Sequence, residues 1–209
     1  MPRGLFISLD GLDGTGKTTQ CRLLAAWLRS GGYTVTECTD PGGTAVGNVI
    51  RELLLHHRQD LSLPCEAFLF MASRAQLTAE IIRPALDANH VVVADRYVLA
   101  NVVYQGHAGG LDPVMLWQTS RLATGGLEPD LTLVLDLPIE VAMSRRHGPA
   151  DRMERRDAAY QARVRDGFLT EARRQPDRIR VIDAGQSREI VHETICREVK
   201  SVLAAGSRA

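Results

Sequence analysis

Short apolar runs and helical periodicities alternate along the whole chain. Strand-like runs occur at Leu5–Leu9, Tyr33–Cys38, His90–Ala94, Leu131–Asp136 and Ile179–Ile182, with helical patterns in every interval. Between Lys17 and Arg29, for example, Leu23, Leu24, Trp27 and Leu28 recur at helical spacing. Alternation of this kind predicts an α/β fold with a five-stranded parallel sheet flanked by helices on both faces. The interval from Thr39 to Asn89 is the longest and reads as two helices, one over Ala45–His57 and one from near Pro64. A further helix is expected over Asp112–Thr124. These helices are placed to border a ligand above the carboxyl edge of the sheet, where open α/β folds bind. Length and apolar content suit one domain over 1–209, with a flexible tail at about 204–209.

The turn after the first strand carries the chemistry. Gly11-Leu12-Asp13-Gly14-Thr15-Gly16-Lys17-Thr18 meets every fixed position of G-x-x-x-x-G-K-[ST], and it lies between a strand and a helix as that motif requires. Its glycines let the backbone curl so that N–H groups and the positive helix end face an anion. These eight residues are the expected ATP-binding set, with Lys17 reaching the β- and γ-phosphates and Thr18 ligating Mg²⁺. Lysine occurs elsewhere only at Lys200, so arginine does the remaining cationic work.

Charge and cysteine usage narrow the partners. Formal charge is zero and the isoelectric point is about 7.0, so no bulk field draws nucleic acid or an anionic membrane. No apolar run is long enough for a bilayer, and no signal-peptide pattern opens the chain. Cys21, Cys38, Cys65 and Cys196 form no C-x-x-C pair, which fits reduced thiols and a cytoplasmic location. The six histidines make no metal or relay motif. Between Ser144 and Arg180, eleven arginines face six acids. Arg163, Arg165, Arg173 and Arg174 read as a solvated helix face. Arg145–Arg156 differs, because His147-Gly148-Pro149-Ala150 interrupts the helical pattern and predicts a short cationic lid.

Three further motifs carry a resemblance. Asp95-Arg96-Tyr97 follows Val91–Ala94, Phe70-x-x-x-Arg74 sits in a helical stretch, and Asp40-Pro41-Gly42-Gly43-Thr44 follows the second strand. Together with the phosphate loop, and through Asp151-Arg152-Met153-Glu154 to Val181-Ile182-Asp183-Ala184, the set resembles thymidylate kinases. The resemblance implies a P-loop nucleoside monophosphate kinase that transfers the γ-phosphoryl of Mg-ATP to dTMP. Phe70 and Arg74 share a helix face and, by the resemblance, stack thymine and hold the 5′-phosphate. Arg96 is then the arginine that bridges acceptor and donor phosphates, and Asp95 holds Mg²⁺ through water or orients Arg96. Asn101 and Tyr104 match positions that contact the base and crowd the ribose 2′ carbon, with Gln105 added to the base pocket. Asp13 matches an acid near the dTMP 3′-hydroxyl and the metal, and Gln186 borders the adenine.

The phosphate loop has no arginine after its acid, whereas some members of the family do. By the resemblance that charge comes from the lid, so transition-state stabilisation is expected from Arg146 and Arg152, with Arg145 and Arg156 in reserve. A homodimer using Ala67–Ile82 is also implied. Two positions depart from the family pattern: Thr39 replaces an arginine, and Ala100 replaces a serine. Two other readings of the phosphate loop stand beside this one. A deoxynucleoside or other small-molecule kinase would need a general base at a neutral hydroxyl and would leave Arg74 without a phosphate. An ATP-binding regulator would need no acceptor pocket at all.

Overall fold

Three strands withdraw nearly every position from solvent, and these form the middle of the sheet. β1 (Phe6–Gly11), β3 (Val91–Asp95) and β4 (Leu131–Asp136) are almost wholly buried, whereas β2 (Val35–Thr39) and β5 (Ile179–Asp183) are half exposed. Continuous burial on both faces belongs to central parallel strands, and partial exposure belongs to edges. The order is accordingly β2-β3-β1-β4-β5, with every pairing parallel. The computed structural model describes residues 4–56, 60–145, 152–153 and 156–206.

Alternate residues of each central strand serve opposite layers. Ile7, Leu9, Val91 and Val93 join a core with α1 (Lys17–Ser30), α8 (Ala158–Arg174) and α9 (Arg188–Gly206). Phe6, Val92 and Ala94 join the other, with α3 (Leu63–Leu77), α4 (Arg83–Asp87) and α6 (Pro113–Thr124). α2 (Ala45–Leu55) packs against α3, and α7 (Ile139–Ser144) leads out of β4. A single wide helical turn, Thr78–Ile82, joins α3 to α4, and a longer one, Val102–Ala108, extends α5 (Val98–Asn101). Wide turns of this kind are frequent beside functional sites.

The chain departs from β1 toward both halves of the sheet, so the loops after β1, β3 and β4 diverge at the carboxyl edge and leave a crevice. Strand and helix positions follow the expected pattern, with small differences at the ends. The second strand starts at Val35 rather than Tyr33, because Gly31-Gly32 first turns the chain out of α1. The helix expected to begin near Pro64 is one part of a longer path, since the wide turn and α4 carry it on to Asp87. α9 continues to Gly206, so helix covers the start of the stretch expected as a tail, and 207–209 lie outside the described residues.

Candidate active site

The phosphate loop keeps its shape because side chains are excluded from it. Gly11 (φ 134°) and Gly14 (φ 88°) occupy left-handed backbone. A Cβ at Gly11 would meet the Leu135 carbonyl oxygen at 2.4 Å, and one at Gly14 would meet that of Ala142 at 2.0 Å. Only glycine fits either place. Gly16, also left-handed, precedes the first residue of α1, so the loop ends at a helix N-terminus. Lys17 is buried and donates from Nζ to the Leu12 carbonyl at 2.7 Å, with Asp13 Oδ1 3.5 Å away. Burial, then the nearby Arg96, lowers the Lys17 pKa, and Asp13 opposes them. Thr15 bonds the Leu12 carbonyl, and Leu12 itself packs into the core.

Arg96 stands at the centre of the site. It is one of two non-glycine residues with positive φ among the described residues (φ 71°), a strained conformation of the kind found at active sites. Its Nη1 donates to the Gly11 carbonyl at 3.0 Å, and its Nη2 reaches Asp13 Oδ1 at 2.5 Å and Tyr104 Oη at 3.2 Å. The guanidinium also lies 5.0 Å from the Tyr104 ring centre. One cation thus links the phosphate loop to the wide turn after α5. Tyr104 is held in turn by Tyr160, whose hydroxyl donates to its carbonyl at 2.7 Å.

A second cluster faces the same crevice. Arg74 is buried, and its Nε donates to Asp40 Oδ2 at 2.5 Å while its Nη1 donates to Asn101 Oδ1 at 3.2 Å. Asn101 Nδ2 donates to Gln105 Oε1 at 2.7 Å, and Gln105 Nε2 donates to Glu66 Oε1 at 2.8 Å. Burial raises the Asp40 pKa, and Arg74 pulls it back. The crevice, about 410 Å³, is lined by Asp13, Lys17 and Thr18 on one side and by Phe70, Arg74, Asn101, Tyr104 and Gln105 on the other. Asp95 and Arg96 lie between them, and the departures Thr39 and Ala100 also border the space.

Of the four arginines expected to supply charge from the lid, Arg146 lies outside the described residues. Arg145, held in reserve, lines the crevice and donates to the Ala184 carbonyl at 3.1 Å. Arg152 does not line it; Nη2 pairs with buried Glu66 at 2.6 Å and Nε bonds the Leu54 carbonyl at 2.8 Å. Arg156 also reaches Glu66, at 3.4 Å. Gln186 bonds Asp183 beyond β5, outside the crevice lining.

Two acids escape the sequence reading, although each leaves a trace there. Glu66 is a lone acid in the apolar start of α3, and Asp10 is the one acid in a wholly buried strand. Asp10 is fully buried, and neither of its carboxylate oxygens has a hydrogen-bond partner among the described residues. Burial pushes its pKa up to about 7, against the pull of Arg96 and Lys17. An acid raised in this way stabilises the fold fully below its unfolded value and loses that contribution as pH rises through the folded one. The ligand-free protein should therefore lose stability between about pH 4 and about pH 7, and Asp10→Asn should flatten that slope. Denaturant melts across this range test it; an unchanged slope in the variant would rule it out.

The sequence profile described as thymidylate kinase matches residues 9–195. A thymidylate kinase of Rhodopirellula baltica is 47% identical over 192 residues, covering 92% of this chain and 78% of that protein. One from Symbiobacterium thermophilum is 45% identical over 201 residues, covering 95% and 94%. The crystal structure of thymidylate kinase from Ehrlichia chaffeensis superposes with a TM-score of 0.79 at 32% identity, covering 95% of this chain and 99% of that one. With the phosphate loop, Arg96 and the Arg74 cluster gathered in one crevice, the chain belongs to the thymidylate kinase family.

Proposed function

We infer that the protein transfers the γ-phosphoryl group of ATP to dTMP, yielding ADP and dTDP. The observation that carries this reading is the position of Arg96, bonded to the phosphate loop on one side and to Tyr104 of the acceptor pocket on the other. An acceptor phosphate is already an anionic nucleophile, so no general base is required. The protein must place that phosphate in line with the γ-phosphorus and offset the charge that collects there.

Each group has a part in this. Backbone N–H groups of 11–16 and the α1 terminus bind the donor phosphates, and Lys17 follows the γ-oxygens as the bond to ADP breaks. Phe70 stacks the base, and Arg74, oriented by Asp40, holds the acceptor phosphate. Asn101 and Gln105 present polar edges to the base, while Tyr104 crowds the ribose 2′ position. Arg96 spans the two phosphates. Because Arg152 is engaged by Glu66, the additional charge over the transferring group is assigned to Arg145 together with Arg146.

Mg²⁺ suits the donors present. Thr18 Oγ1 donates to Asp95 Oδ2 at 2.5 Å, and the unpartnered oxygens of Asp10 lie close enough to Asp95 for the two charges to interact. Mg²⁺ is a hard cation that takes many of its ligands from phosphate and water, so a few protein oxygens suffice to hold it. Thr18 and Asp95 would hold the ion, with Asp13 and Asp10 nearby. When bound, it neutralises phosphate charge and orients the donor. Among the described residues no helix is long and apolar enough to cross a membrane. Exposed Val49, Leu53 and Phe68 on the packed pair α2 and α3 support a homodimer, and a monomer in sedimentation velocity would remove that part.

ADP release measured with dTMP, dUMP, dCMP, dAMP, dGMP and thymidine tests the reading. The fastest turnover is expected with dTMP. Turnover with thymidine and none with dTMP would favour the hydroxyl-acceptor alternative instead.

A further inference from the structure

Glu66, Phe70 and Arg74 follow one another at intervals of four on α3, so they share one face of the helix. Phe70 and Arg74 line the crevice. Glu66 sits one turn earlier and is completely buried. A buried carboxylate is costly unless it is well paired, and an apolar side chain would pack there at less cost. Among the described residues its partners come from two other parts of the chain: Gln105 from the wide turn of the acceptor pocket, and Arg152 and Arg156 from just before α8.

The polarity of the hydrogen bonds gives this cluster a direction. Asp40 and Glu66 only accept, and Arg74 only donates. Between them, Asn101 must accept from Arg74 and donate to Gln105, and Gln105 must donate to Glu66. Both amides are thereby held in one orientation, each with a remaining N–H and a remaining lone pair. The arginine side forms a second connection. The Arg156 guanidinium lies 5.0 Å from the Tyr160 ring centre, and Tyr160 bonds the Tyr104 carbonyl. Arg152 is tied to α2 through the Leu54 carbonyl.

We propose that Glu66 is a positioning residue for phosphoryl transfer: its buried carboxylate sets the amides of the acceptor pocket and holds Arg152 and Arg156, which precede α8, to that same pocket. The proposal rests on the dTMP kinase reading above. Its two functions separate by substitution. In Glu66→Gln the new side chain still accepts from Gln105 but no longer holds two guanidinium groups. The expected result is a kcat lower by about tenfold or more, with the KM for dTMP within about threefold of the wild type. Glu66→Ala removes the acceptor for Gln105 as well, so KM rises and kcat falls.

A purely structural role is distinguished by a double variant. Glu66→Gln leaves the half-buried Arg152 without a counter-charge and should lower Tm. Glu66→Gln combined with Arg152→Met replaces that cation with an apolar side chain and should recover Tm while kcat remains low. Wild-type kcat in the folded Glu66→Gln enzyme, or recovery of kcat together with Tm in the double variant, would overturn the proposal. Wild-type turnover of dTMP is measured alongside: its absence counts against the kinase reading, and its presence confines any failure to Glu66.

Discussion

Replacing Lys17 by methionine is expected to reduce dTDP formation at least about a hundredfold, the scale on which loss of one preorganised charge acts in such sites. Methionine keeps the aliphatic stem that is buried beneath the loop, so circular dichroism and Tm should change little. The ammonium differs from that of a surface lysine. Burial and the neighbouring Arg96 lower its pKa, and its hydrogen bonds run to the Leu12 carbonyl and toward Asp13. It is therefore a fixed point charge beside the glycine turn, with few of the conformers open to an exposed lysine. The loss should appear mainly in kcat, because the charge on the γ-oxygens and leaving group is largest in the transition state. Nearly unchanged dTDP formation by a folded Lys17→Met enzyme would mean that the loop does not act on the γ-phosphate.

The second large effect falls on stability and acceptor binding together. Arg74→Met leaves Asp40 as a buried carboxylate without its cation and Asn101 Oδ1 without its donor. Breaking a buried pair from one side costs on the order of 3–5 kcal/mol, a large part of a domain's stability. The KM for dTMP should rise sharply as well. Pairing Arg74→Met with Asp40→Asn removes the orphaned charge, so stability should return in part while dTMP affinity does not. Denaturant unfolding and dTMP titration of both variants separate the two contributions. Full recovery of affinity in the double variant would show that Arg74 only neutralises Asp40.

The residues most legible in the sequence are those under backbone constraint. The phosphate loop needs glycine at Gly11 and Gly14 because carbonyl oxygens stand where a side chain would be, and that demand is written as a spacing. The strand order was less explicit, yet it follows from composition once burial is considered: Val91-Val92-Val93-Ala94 is apolar on both faces and belongs at the centre, whereas Thr36 and Glu37 mark β2 as an edge. Pairings between distant segments are not written in any local pattern. Nothing near Glu66 announces Arg152, and nothing near Asp40 announces Arg74, because each pair forms only when separate elements meet at the crevice. The arginines expected in a lid show the same difficulty. Their number was clear from the sequence, but the partner that engages Arg152 sits on a helix more than eighty residues earlier.

Transfer of a labelled γ-phosphoryl group from Mg-ATP, followed by separation of the nucleotides, shows which acceptor this crevice serves. With dTMP the label is expected in dTDP with stoichiometric ADP, and with thymidine little label should leave ATP. Label appearing in dTMP made from thymidine, or ATP consumed without labelled dTDP, would contradict the dTMP kinase reading.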